Sequence, residues 1–80
     1  MSEAYLTQDD LRKITADTEL RAPNGSRWRH VNGSEYIVDG VGISEGGQRP
    51  VVIYRPVDGD QPPWLRSADE FLDGRFELIG

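Results

Sequence analysis

The side chain best suited to proton transfer near neutral pH is His30, the one histidine in the sequence. The partners that catalysis would need are missing around it. There is no cysteine, which removes thiolate nucleophiles and disulfide frameworks together. No serine stands in a Gly-x-Ser-x-Gly elbow. Asp58-Gly59-Asp60 matches part of a calcium loop but lacks the later ligands and the closing glutamate at its spacing. Gly40-Val41-Gly42 is too little for a dinucleotide site without a βαβ unit, and Asp69-Glu70 is explained by helix capping. One histidine without cysteine also leaves an ordinary zinc site short of ligands. The expectation is a protein that is not an enzyme and takes no metal and no cofactor.

Charge narrows the partners. The net charge is −5, which works against sequence-independent binding to a phosphate backbone, since that depends on neutralising charge. Of the nine basic residues only Lys13 is a lysine; the rest are arginines. Arginine forks suit bidentate pairing with carboxylates, although a bias toward GC-rich codons gives the same excess. The chain of 80 residues is the size of one domain, and at that size folding buries only roughly 60% of the surface the unfolded chain exposes. Met1-Ser2-Glu3-Ala4 shows no basic region followed by an apolar one, and no apolar run approaches the roughly 20 residues of a membrane span. No signal peptide and no membrane partner are expected. The lack of cysteine fits a reducing cytoplasm, the expected location.

The elements that would position these side chains can be taken in order. Residues 1–24 read as an N-terminal helical extension. Thr7 is a good N-cap with Asp10 three residues on, Leu6 and Leu11 are spaced for a hydrophobic staple, and Asp9 and Asp10 suit the positive end of the helix dipole. Leu11 and Ile14 give this helix a short apolar stripe, so it is expected to lie on the remainder as a lid rather than to project as a partner-binding arm. Ala22-Pro23-Asn24-Gly25-Ser26 is a turn.

Two alternating runs joined by Asn32-Gly33 then predict a β-hairpin. A two-residue loop would pair Arg29 with Tyr36 and Trp28 with Ile37. A three-residue loop with Gly33 at positive φ would pair His30 with Ser34, Arg29 with Glu35 and Trp28 with Tyr36. A one-residue slip moves a whole strand to the other face, and only the second register puts Trp28, Tyr36 and Val38 together with Arg29 opposite Glu35. That register is expected, with Ile37 alone out of place on the polar face.

Asp39 to Ser44 extends the second strand with glycines that mark a bend or bulge. Glu45-Gly46-Gly47-Gln48-Arg49 is an exposed loop. Pro50 to Arg55 is a continuous apolar run that suits a central strand buried on both sides. A proline-rich loop follows, then the strand Trp64-Leu65-Arg66, a helical turn opened by Ser67 with Glu70 and ended by Gly74, and a last strand with Phe76 and Leu78 turned inward. The fold predicted is mainly β: a small SH3-like five-stranded barrel over residues 25–80, with an N-terminal helix and one short helical turn before the last strand.

Trp28-Arg29-His30 with Gly33 and Tyr36, then Val52-Ile53-Tyr54-Arg55, then Trp64-Leu65-Arg66 with Phe71, resemble the bacterial and phage family called domain of unknown function 1653. Its members typically read Tyr-Arg-His-Tyr-Lys-Gly, Tyr-x-Val, Val-Val-Tyr-Arg and Leu-Trp-Val-Arg-Pro-x-x-x-Phe. The match spans roughly residues 25–79. Trp28 stands for the first tyrosine, Val31-Asn32 for Tyr-Lys, and Ser67 for the proline after the last arginine. The resemblance implies a compact β domain and brings no established activity with it.

The residues that the resemblance singles out are Arg29, His30, Tyr54, Arg55, Trp64 and Arg66, with Tyr36 beside them. Arginines beside aromatics can clamp a carboxylate, a phosphate or a peptide by bidentate bonds against a stacking wall; alternatively they pair with Glu35, Asp39, Glu70 or Glu77 while the aromatics fill the core. Arg55, Trp64 and Arg66 flank the proline-rich loop, where a rigid scaffold would carry a binding site. The function expected is a small binding module for a protein or peptide partner, held in a groove between the hairpin and the loop over residues 58–63. One alternative is an acidic phage-type accessory or inhibitor protein that blocks a partner's nucleic-acid-binding surface. A nucleic-acid-binding barrel ranks below both unless Arg27, Arg29, Arg55 and Arg66 converge.

Overall fold

A computed structural model describes residues 7–80. The first four residues and Leu6, half of the expected staple, lie outside that range. The described chain runs α1 (Gln8–Arg21), β1 (Arg27–His30), β2 (Glu35–Ser44), β3 (Arg49–Pro56), β4 (Trp64–Ser67), α2 (Ala68–Phe71) and β5 (Phe76–Leu78). All five strands are antiparallel members of one sheet in the order β4-β3-β2-β1-β5. The protein is therefore mainly β. Among the described residues no ladder joins β4 to β5, so hydrogen bonding leaves the sheet open at those two edges.

The β1–β2 hairpin has the three-residue loop. Trp28 faces Tyr36 and Arg29 faces Glu35, His30 N–H donates to the Ser34 carbonyl at 2.8 Å, and Gly33 takes a φ of +96° that a side chain would strain. Asn32 Oδ1 accepts from Ser34 N–H at 2.9 Å, which holds the loop from within.

In β2 a bulge falls between Val38 and Gly40. The extra residue, Asp39, reverses which positions face inward. Tyr36 and Val38 point to the core before it. Val41 and Ile43 do so after it, opposite Val52 and Pro50. Gly40 and Gly42 consequently face outward, opposite Ile53 and Val51. The bulge lets one strand of ten residues serve a single core along a bent path.

That core contains Ala22, Trp28, Val38, Val52, Tyr54, Ala68, Phe71 and Phe76. Phe71 is fully buried. Its ring stacks on Phe76 with centroids 4.4 Å apart, meets Trp28 edge-on at 5.0 Å, and lies 5.2 Å from Tyr54. The turn that delivers it is capped by Ser67, whose hydroxyl accepts from Glu70 N–H and which lets the chain change direction straight out of β4. The α1 helix starts at the expected capping box, with Thr7 and Asp10 each accepting from the other's backbone N–H. It packs against β2 and β3. Thr18 and Ala22, both buried, are small enough to bring the helix close. α1 and α2 thus share one face of the sheet.

This sidedness corrects two expectations. The central strand is not buried on both sides: Val52 and Tyr54 are buried, but Val51 and Ile53 are only half-buried because no described helix covers their face. Leu78 lies on the same side as Phe76 yet is 51% exposed, because it sits on an edge strand beyond the aromatic cluster. Ile37 also finds its context. It shares the outer face with Ile53 and Val51 rather than standing alone.

Trp28 is 6% exposed, and its indole N–H donates to Ser26 Oγ at 2.9 Å, while that hydroxyl donates to the Pro23 carbonyl. Trp28→Ala should lower unfolding free energy by about 3–5 kcal/mol in urea denaturation. Ser26→Ala, which strands the buried indole N–H, should cost about 1–3 kcal/mol.

Candidate functional site

The sheet divides the six sequence-derived binding residues between its faces. Arg29 and Arg55 lie on the outer face, and both are in ion pairs. Arg29 approaches Glu35 at 3.7 Å, and Glu35 is shared with Arg27 at 3.5 Å. Arg55 Nε donates to both carboxylate oxygens of Asp39 at 3.1 Å. The bulge that exposes Asp39 is what brings it to Arg55. Exposed pairs of this kind contribute little to stability, about 0–1 kcal/mol each.

His30, Tyr54, Trp64 and Arg66 lie on the inner face and form a connected series. Trp64 is opposite Tyr54 and Arg66 is opposite Val52. Arg66 Nε donates to the Tyr54 hydroxyl at 3.1 Å. Its guanidinium carbon stands 5.6 Å from the centroid of Phe76, a cation–π arrangement that reaches from β4 to β5. Phe76 in turn meets His30 edge-on at 4.9 Å. Arg66 thus bridges by side chain the two edges that no backbone ladder joins. Its pKa is raised above an already high ordinary value, first by the hydrogen bond to Tyr54. Charge attraction from Glu70 and Asp73 adds to this, against a lowering by burial. It is a permanent cation.

The side chains of the series differ in what they offer. Tyr54 is buried, whereas Trp64 is 54% exposed. His30 Nδ1 accepts from Asn32 N–H at 3.1 Å, so this imidazole nitrogen is engaged in holding the hairpin loop. Arg66 has no carboxylate within 4 Å among the described residues, unlike Arg27, Arg29, Arg55 and Arg75. The convergence of Arg27, Arg29, Arg55 and Arg66 that a nucleic-acid-binding barrel would need does not occur. The first three face outward, beside Glu35 and Asp39, and Arg66 faces inward.

The groove expected between the hairpin and the proline-rich loop has a counterpart in a cleft lined by Arg27, Ser34, Glu35, Pro56, Val57 and Asp58. It contains none of the six residues. A second cleft is lined by Arg29, His30, Val31, Arg75 and Phe76 among others. No group of three or more His, Cys, Asp or Glu side chains among the described residues could hold a metal ion, and no described helix is long and apolar enough to cross a membrane.

Two residues join the site that sequence reasoning placed elsewhere. Phe76, whose alternation places it in the core, also forms the ring behind Arg66. Leu65, 67% exposed, belongs to the strand and to the Trp64-Leu65-Arg66 motif but not to the six expected binding residues. Its signal was present: two consecutive large apolar residues cannot both face one core in a strand of period two.

The family described as Protein of unknown function (DUF1653) matches residues 26–76. The chain belongs to this family. All six candidate residues fall within the matched DUF1653 segment, whereas α1 precedes it. Comparison with curated proteins and with solved structures gives no match.

In this DUF1653 chain the Tyr54 hydroxyl is the hydrogen-bond acceptor that orients Arg66. Tyr54→Phe keeps the ring and removes that acceptor. Unfolding free energy should fall by about 0.5–1.5 kcal/mol, and the Arg66 Nε–H signal should exchange faster with solvent in NMR. An unchanged exchange rate would mean that Phe76 alone holds the guanidinium.

Proposed function

We propose that this DUF1653 protein is a non-enzymatic binding module that recognises a protein or peptide partner, built on an SH3-like arrangement. Support for the arrangement comes from connectivity. Four strands follow as a meander, a single helical turn intervenes, and the last strand returns beside the first. Arg66 reaches by its side chain toward Phe76 at the start of β5, while the β4 backbone edge has no ladder partner there.

One observation carries the binding reading. A fixed cation without a carboxylate partner among the described residues stands beside a large aromatic that the fold leaves more than half exposed. Trp64 supplies apolar area at little entropic cost, and Arg66 supplies fixed polar recognition, the pair of residue types that dominate binding energy at protein interfaces. A catalytic reading draws no such support, since His30 is engaged with Asn32 and Phe76. The nucleic-acid reading is weakened by the pairing of Arg27, Arg29 and Arg55 with carboxylates.

Selection of random linear peptides displayed on phage against the full chain tests this. Related sequences should be enriched. Their affinity should fall about tenfold or more, about 1.4 kcal/mol, for Trp64→Ala, and remain unchanged for Leu20→Ala, an equally apolar and more exposed position on α1. The absence of enrichment, or equal losses at both positions, would overturn the proposal.

A further inference from the structure

The exposed face of Trp64 and the end of Arg66, unpaired among the described residues, belong to the same strand, and that strand is an edge. Among the described residues, the backbone of Trp64, Leu65 and Arg66 forms hydrogen bonds only within the β3–β4 ladder. The other side of β4 therefore presents free donors and acceptors, the usual template for strand addition. Trp64 projects on the inner side and Leu65 on the outer side, 54% and 67% exposed. A strand laid along β4 would set its own alternating side chains beside both. The opposite edge, β5, is less suited. It spans only Phe76–Leu78 and carries Glu77, already opposite Arg29.

We infer that the partner binds by adding an extended segment to the free edge of β4, with one acidic side chain of that segment set against Arg66; this rests on the peptide-binding reading above and specifies its mode. The charge of the segment follows from Arg66. Nε is taken by Tyr54 and the guanidinium is backed by Phe76, which leaves the terminal nitrogens to receive a carboxylate, a charge-assisted contact. Glu70 and Asp73 act on Arg66 through their charge without being in contact with it. Together with the net charge of −5, they oppose a second acidic group on the ligand. The segment is therefore singly acidic and otherwise neutral, with apolar residues flanking the acid. Its ladder is short, because Pro62 and Pro63 precede β4 and proline donates no backbone hydrogen bond.

The probe is a synthetic, end-capped peptide that alternates threonine and valine around one central glutamate. Three companions are made: glutamine in place of the glutamate, glutamate at three positions, and the original peptide with alternate backbone nitrogens methylated. Binding to the isotopically labelled full chain is followed by NMR. The singly acidic peptide should bind about tenfold more tightly than the glutamine peptide and shift and protect the amides of residues 64–67. Backbone methylation should abolish binding, and three glutamates should weaken it. Arg66→Gln should erase the preference for glutamate over glutamine, and Arg66→Lys should retain part of it. If Arg66→Gln does not fold, the peptide set on the unaltered chain decides.

Equal affinity for the glutamate and glutamine peptides would overturn the inference. So would undiminished binding of the methylated peptide, or amide shifts confined to the cleft between the hairpin and Pro56. Self-association of the chain through β4 in sedimentation would likewise overturn it by making a second copy the occupant. If those results arise while the phage selection still yields binders sensitive to Trp64→Ala, strand addition falls and the binding module stands. Failure of the selection removes both.

Discussion

The contact on which the rest of the molecule depends is the stack of Phe71 on Phe76. A sheet whose terminal strands share no hydrogen bonds needs another means of keeping its edges together. Here it is a ring cluster. Phe71 leaves β4 on a single helical turn, and Phe76 starts β5, so the stack fixes the end of one edge against the beginning of the other. Tyr54 and Trp28 then tie this pair to the middle of the sheet. Each fully buried aromatic contributes about 1.5–3 kcal/mol from area alone, and each well-oriented ring pair about 0.5–1.5 kcal/mol beyond it. In a domain this small, whose stability is a narrow difference between large opposing terms, such a cluster sets the shape as well as the stability.

With both helices on the ring side, the other face of the sheet is stabilised differently. The bulge at Asp39 turns Gly40 and Gly42 outward, and the side chains of Ile53 and Val51 lie over Gly42. Around them run the ion pairs of Arg55 with Asp39 and of Arg27 and Arg29 with Glu35. This face holds strand register through cross-strand pairs rather than through burial. It also accounts for Ile37, which looked misplaced while its strand was considered apart from β3. A second strand of half-buried aliphatics beside it makes Ile37 part of a continuous outer surface.

These contrasts show which parts of the structure can be read from the chain and why others cannot. The hairpin register followed from the sequence because its determinants lie within a dozen residues. Gly33 must take the left-handed conformation, and only one pairing puts Trp28, Tyr36 and Val38 on one side. The two capping sites were legible for the same local reason. Most of the element order and the DUF1653 pattern were legible too. The faces taken by Arg55 and Arg66 were not. Arg55 turns outward because its neighbour Tyr54 turns inward, while Arg66 turns inward because it pairs with Val52 across a loop whose length does not fix register. One residue of slip in that ladder would have turned Arg66 outward and Leu65 inward, with Arg55 left where it is. The bulge could be anticipated from Gly40 and Gly42, but not the position of the reversal. The exposure of Leu78 depends on what lies beyond the end of the core, which no alternation pattern encodes.

That distinction bears on how an acidic protein can present a selective basic group. At physiological ionic strength, surface charge acts over roughly 8 Å, so the net charge of −5 gives the chain a repulsive field toward acidic partners at intermediate range. Arg27, Arg29, Arg55 and Arg75 each stand against a carboxylate. Arg66 has no carboxylate within 4 Å among the described residues, and an uncharged acceptor and a ring set its position instead. The Tyr54 hydroxyl and Phe76 hold the guanidinium without neutralising it. Their cost is partial desolvation of a charge, and that cost is offset by the hydrogen bond that raises its pKa. The result is a cation felt only at contact. Discrimination at such a group comes from geometry in the bound state rather than from attraction during approach, which favours selectivity over speed of association.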